Sequence, residues 1–171
     1  MSEAPGDFWN WSLEVYDRPS VADDLIELQD KFGLDVNLIL WSCWAGLRHG
    51  PLPELAMRKA VDISRQWSGA VVEHLREARR ALKSPPRQAD PDAAEALREH
   101  VRAAELEAER LQQAMLETLA QSEATDAAAS PSEGAARQNL ASYVGLCGVA
   151  RKPGFSIGRL ISVLEKVGPQ P

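Results

Sequence analysis

The stretch LQDKFGLDVNLILWSCWAGLRHG, residues 28–50, decides how the chain is read. After Gly33 it is so apolar that neither side of a helix built from it can face water, yet it holds Asp35, Asn37 and Cys43 among Trp41 and Trp44. Asp35 suits an N-cap, whose carboxylate accepts from backbone N–H groups of the first turn, and Gly50-Pro51 stops the helix. At about 100° per residue, Val36, Ile39, Leu40, Cys43, Trp44 and Leu47 share one broad face, while Leu38 and Ala45 fall opposite. Two apolar faces predict a central helix. On the flank between them lie Asn37, Trp41 and Arg48. An amide, an indole and a guanidinium there can satisfy buried neighbours, or with Trp44 form a pocket that holds a ligand or partner. The structural role is the first expectation, and the four residues are the candidate ligand or partner site.

Working outward, the punctuation is that of helices. RPSVADDLIELQDKFG places Ser20 as N-cap and Asp23 and Asp24 in the first turn, with Val21, Leu25, Leu28 and Phe32 on one stripe. From Pro53 a long helix runs to Ser84, with Ala60, Trp67, Val71, Leu75, Ala78 and Leu82 as its stripe. Asp90-Pro91 opens another that reaches about Gln121, with a seam of Leu97, Val101, Ala104, Ala108, Leu111 and Met115 in alternating steps of four and three. These two form an expected antiparallel hairpin over 53–121. Residues 122–130 are small and polar and predict a flexible linker. An S-x-x-E box at Ser130 and Glu133 opens C-terminal helices over 131–168, interrupted at Gly145 and Gly148, with Ile157, Leu160, Ile161, Leu164 and Val167 on the last stripe. No segment alternates with period two. The expectation is a single all-α domain: a helical bundle with aromatic-rich N-terminal helices over 7–50 and the long hairpin. Seven of the ten aromatics fall within the first 44 residues and are expected to staple those helices together, or to line a groove.

The net charge of −6 argues against a broad nucleic-acid footprint. Its distribution alternates in sign: Lys and Arg against Asp and Glu number 3 to 10 over residues 1–54, 8 to 3 over 55–88, 3 to 11 over 89–134 and 5 to 1 over 135–171. Blocks of opposite sign laid antiparallel gain favourable electrostatics and a pairing register. The densest basic patch, Arg76, Arg79, Arg80 and Lys83, has the glutamates of the following helix as its nearest expected partner, with an anionic ligand or acidic protein as the alternative. No apolar run reaches membrane-spanning length, and the N-terminus lacks a signal core, so the expected compartment is the cytoplasm.

Chemistry finds little purchase. His49, His74 and His100 show no metal-ligand spacing, and His49 is displaced around the helix from Cys43, so no local dyad forms. Cys43 has no adjacent positive charge to activate it, and both it and Cys147 read as buried, reduced thiols. No phosphate-binding or nucleophile-elbow motif occurs. No catalytic residue, metal or cofactor is expected.

FWNWSLEVY, LQDKFGLDVNLILWSCW, HGPL, Trp67 and LREARRALK, in that order, resemble a proteobacterial family of conserved hypothetical proteins of about 160 residues, a domain of unknown function. Its most specific stretch is LQDxxGxDVNLxLxxxW, and the resemblance spans residues 8 to about 83. It implies a bacterial cytoplasmic protein and carries over no activity. The sequence therefore predicts a non-enzymatic interaction or regulatory protein. It binds a protein partner or a second copy through the hairpin and the C-terminal amphipathic helix, or alternatively takes a small molecule beside Asn37, Trp41, Trp44 and Arg48.

Overall fold

A computed structural model describes residues 7–123 and 130–168. The expected linker lies mostly outside the described residues. The helices are α1 (Asp7–Tyr16), α2 (Val21–Phe32), α3 (Val36–Arg48), α4 (Glu54–Trp67), α5 (Glu73–Ala81), α6 (Pro91–Glu123), α7 (Glu133–Cys147) and α8 (Ile157–Val167). A π-turn at Ser68–Val72 joins α4 to α5, a 3-10 turn follows α7, and no strand occurs among the described residues. The protein is all-α.

α3 is the axis of the bundle, buried without interruption from Leu38 to Gly46. Its most extensive neighbour is α7, and the reason is local. A Cβ on Gly46 would collide with the backbone of Ala136, while the Gly46 carbonyl accepts from Ser132 N–H at 2.9 Å. The two backbones meet where α3 carries no side chain. Asn139, fully buried on α7, accepts from Leu52 N–H at 2.8 Å and reaches the carbonyls of Ser42 and Gly50, binding the α3–α4 connection to the core. Around the other side, Phe8 stacks obliquely on Trp44 at 5.2 Å, and Phe32 meets Phe155 edge-on at 5.2 Å. The N-terminal aromatics Phe8, Phe32 and Trp44 thus share one core, with Phe155 packed against it.

The charge blocks pair internally, in two antiparallel sets. α5 lies against α6 through Arg76 and Arg79 on Glu105, and α4 reaches it through Lys59 on Glu123. α8 lies against α2 through Arg159 on Glu27 and Lys166 on Asp24. Leu160, Val163, Leu164 and Val167 of α8 are buried, so its apolar face is occupied within the fold.

Several local expectations are corrected. Ser20 sits at the α2 N-cap position with φ of 61° and makes no side-chain cap bond. The cap of α7 is Ser132, which accepts from Ala135 N–H at 3.1 Å, rather than Ser130. Gly148 ends α7 in the left-handed conformation, and Cys147 beside it is exposed, whereas Cys43 is buried. The seam of α6 is rotated. Leu97, Leu111 and Met115 are exposed, and the buried face instead runs through Ala94, Glu105, Ala108, Gln112, Gln113, Leu116, Glu117 and Ala120.

The α3–α7 contact yields a test. Gly46→Ala should destabilise the fold by about 1–3 kcal/mol, the usual cost of forcing extra atoms into a packed interior, because backbone rather than a mobile side chain must yield. Gly145→Ala, one helix away with no heavy atom of another described residue in reach of the added methyl, should instead gain up to about 1 kcal/mol from helix propensity. Denaturant melts of the two variants should move in opposite directions.

Candidate functional site

Two features build a polar cleft beside α3. The first is Asp35. Its Oδ1 caps α3 by accepting from Asn37 N–H at 2.7 Å, and its Oδ2 takes the Ser64 hydroxyl from α4 and the Gln112 amide from α6 at 3.0 Å. Its own N–H donates to the Tyr143 hydroxyl of α7 at 2.8 Å. The network continues along α6. Asn37 donates to Gln112 Oε1 at 3.3 Å and accepts from Gln113 Nε2 at 2.8 Å, and Gln113 Oε1 lies 2.9 Å from the Ser12 hydroxyl of α1. Glu117 ties α1 down by accepting from Asp7 and Phe8 N–H, filling the role of an N-cap from another helix. The buried polar groups of this floor satisfy one another.

The second feature is the π-turn at Ser68–Val72. One extra residue in the turn rotates everything beyond it by roughly one residue position about the axis. Val72, rather than the expected Val71, is therefore buried, and Arg76 and Arg79 follow it onto the side facing α6. There Arg79 grips Glu105 with two nitrogens, at 2.5 and 3.3 Å, and Arg76 is divided between Glu105 and Glu109, at 3.3 Å to each.

Between α1, the α2–α3 connection, α5 and α6 these elements leave a cleft of about 900 Å³. Its floor is Asp35, Asn37, Gln112 and Gln113, its walls are Arg76, Arg79, Glu105 and Glu109, and its rim is apolar: Trp9, Leu13, Tyr16, Ile26 and Leu106. Leu13, Tyr16, Ile26 and Leu106 are among the exposed large apolar side chains of the chain.

The division of Arg76 sets the charge states. Burial pushes the Glu105 carboxyl up, but hydrogen bonds and charge from Arg79 and Arg76 outweigh it and leave Glu105 below the ordinary range. At Glu109 burial prevails. Arg76 pulls it back, Glu105 and Asp35 push it further up, and the carboxyl lies above its ordinary value. Tyr16 is raised as well, by burial first and then by the Glu109 charge.

The sequence-derived candidates divide between two places. Asn37 joins Arg76, Arg79 and Arg80 in lining the cleft, uniting members of two groups that the sequence kept apart. Trp41 is wholly buried and donates its indole N–H to the Leu116 carbonyl at 2.7 Å. Trp44 is also buried, its indole N–H 3.3 Å from Asp7 Oδ2, and half-exposed Arg48 lies 3.7 Å from the same oxygen. Neither tryptophan nor Arg48 lines the cleft, and Lys83 stands exposed beyond it. His49 sits edge-on to Trp44 at 4.9 Å, with a buried Nε2 that has no hydrogen-bond partner among the described residues. Burial lowers its pKa against the pull of Asp7 and Glu117. Cys43 is pushed up to about 12 by burial, which leaves it an inert thiol. Sequence reasoning missed Gln112 and Gln113, and it had Glu109 only among the counter-charges of the basic patch and Tyr16 only among the clustered aromatics. The signal for the two amides was the spacing of polar residues at 105, 109, 112 and 113 along one side of α6.

The opposite shifts of neighbouring carboxyls give a signed prediction. Glu105, held low, adds stability above the ordinary carboxylate range and loses it as the pH falls through its lowered value. Glu109, held high, adds stability below that range and loses it as the pH rises through its raised value. At pH 7, Glu105→Gln should lower the melting temperature and Glu109→Gln should raise it. The Glu109→Gln gain should disappear in melts recorded below about pH 4, where both forms are neutral.

A family model described as a protein of unknown function, DUF2390, matches residues 7–116, and the chain belongs to that family. The match extends past the 8–83 resemblance and contains every residue that lines the cleft, whereas α7 and α8 lie outside it. No curated protein and no solved structure matches the chain.

Proposed function

We propose, taking membership of that family as the premise, that the protein is a non-enzymatic binding protein whose cleft between α1, α2, α5 and α6 receives a small amphipathic molecule. The cleft itself carries this reading. Its volume of about 900 Å³ falls in the usual range for ligand pockets, roughly 300–1,000 Å³, and a largely preformed polar floor under an apolar rim is the common design of such sites. The floor is held in place because its amides, from α3 and α6, and the carboxylate that caps α3 hydrogen-bond one another and the Ser64 hydroxyl of α4. The α6 wall carries two carboxyls with pKa values displaced in opposite directions, a pattern that concentrates at functional sites. The ligand site suggested by the sequence beside Trp41, Trp44 and Arg48 is supported less well, since Trp41 and Trp44 have their indole N–H groups engaged and little surface left to offer.

A thermal-shift screen against a library of small metabolite-like molecules tests the reading. A ligand at 100 times its dissociation constant should add about 2.7 kcal/mol of stability. That shift should shrink in Leu106→Ser, which removes an exposed rim side chain and leaves the core intact. If nothing in the library shifts the wild type, or if Leu106→Ser leaves every shift unchanged, the cleft is not the site.

Partner binding is the second reading, favoured by the rotation of α6. Leu97, Leu111 and Met115 stand exposed on one side of that helix, Leu97 and Leu111 two heptads apart, as in a helix seam without its opposite strand. A second copy of the chain is the occupant this pattern suits. Light scattering over a range of concentrations should show the mass rising toward a dimer, and Leu111→Lys should hold it at the monomer. A constant monomeric mass for the wild type would remove this reading.

A further inference from the structure

The cleft has an unbalanced wall. Six carboxylates line it against three guanidiniums, and of the four hydrogen bonds that Arg76 and Arg79 make to Glu105 and Glu109, three go to Glu105. Among the described residues Glu109 has one ion pair, to a shared Arg76, and its side chain, lining the cleft, is 30% exposed. The amides of the floor are paired with each other, so they set shape more than charge. Two aromatic side chains, Trp9 and Tyr16, stand at the rim, and the negative face of an aromatic ring attracts cations. We propose that the cleft takes an organic cation, an ammonium or guanidinium group on an apolar body, with the charge at Glu109 and the body against Trp9, Leu13, Tyr16 and Leu106. This rests on the reading of the cleft as a ligand site and names the chemical class that the site accepts.

A cation placed there supplies what Arg76 cannot, because Arg76 is divided between two carboxylates. It also reverses the disposition of Glu109, which burial and the neighbouring Glu105 and Asp35 now hold toward its neutral form. Arg80 lines the cleft with no ion pair to another described residue, and its charge opposes an incoming cation. The two residues therefore act with opposite sign on the same ligand.

The test is calorimetric titration of the full chain with probes that share one skeleton and differ in charge: 2-phenylethylammonium, 2-phenylethanol and 3-phenylpropanoate. The ammonium should bind about tenfold or more tighter than the alcohol, and the carboxylate more weakly than either. Glu109→Gln should lower ammonium affinity about tenfold and alcohol affinity by much less, so that the preference for the ammonium narrows, and Arg80→Gln should raise ammonium affinity. Glu109→Gln keeps the size of the side chain and removes an unfavourably buried charge, and its unligated melt checks that it is folded. Equal affinity for ammonium and alcohol, or tightest binding of the carboxylate, overturns the cation proposal and leaves the ligand cleft standing. Binding of none of the three, in the wild type and in Arg80→Gln, overturns both.

Discussion

Asp35 is the interaction on which the bundle depends. A cap residue ordinarily stabilises one helix end by about 1 kcal/mol. Here the same carboxylate caps α3, accepts from Ser64 on α4 and Gln112 on α6, and its backbone N–H reaches Tyr143 on α7. Four helices are thereby registered against a single residue, three through its carboxylate and α7 through its backbone N–H. An apolar core alone fixes this less sharply, because apolar contacts tolerate small slides and rotations of a helix, whereas hydrogen-bond partners must meet within a few tenths of an ångström.

That constraint explains the rotation of α6. Its alanines give both sides of the helix similar hydrophobicity, so the choice of face passes to the polar residues. Gln112 must reach Asp35 and Ser64, Gln113 must reach Asn37, Glu117 must cap α1, and Glu105 must meet Arg79. Once those are inside, Leu97, Leu111 and Met115 are carried to the surface. The cleft follows from the same arrangement, for the polar floor that orients α6 also lies beneath the space between α1 and α5.

The legible part of the site was its chemistry by residue type. Asn37 and the arginines of α5 stood out because an amide in an apolar helix and a dense basic run are conspicuous in one dimension. Their meeting in one cleft was not legible. It depends on the π-turn at Ser68–Val72, whose extra residue turns Arg76 and Arg79 inward, and nothing in the local pattern marks that insertion. Trp41 and Trp44 illustrate the converse. Aromatic residues beside an arginine suggest a pocket, but both indole N–H groups had acceptors waiting on α6 and α1, at Leu116 and Asp7.

By itself the sequence determined the elements: an all-α chain, a central helix after Asp35, stops at Gly33 and Gly50, a long antiparallel pair and charge blocks that pair in alternation. These follow from periodicity, capping and charge, which are properties of residues near one another in the chain. Tertiary structure alone decided which side of α6 is buried, where the helix after Trp67 is rewound and which carboxylate is left without a full counter-charge. Those outcomes depend on groups up to roughly a hundred residues apart, as Ser12 is from Gln113, and their partners are chosen by three-dimensional hydrogen-bond geometry that no local pattern encodes.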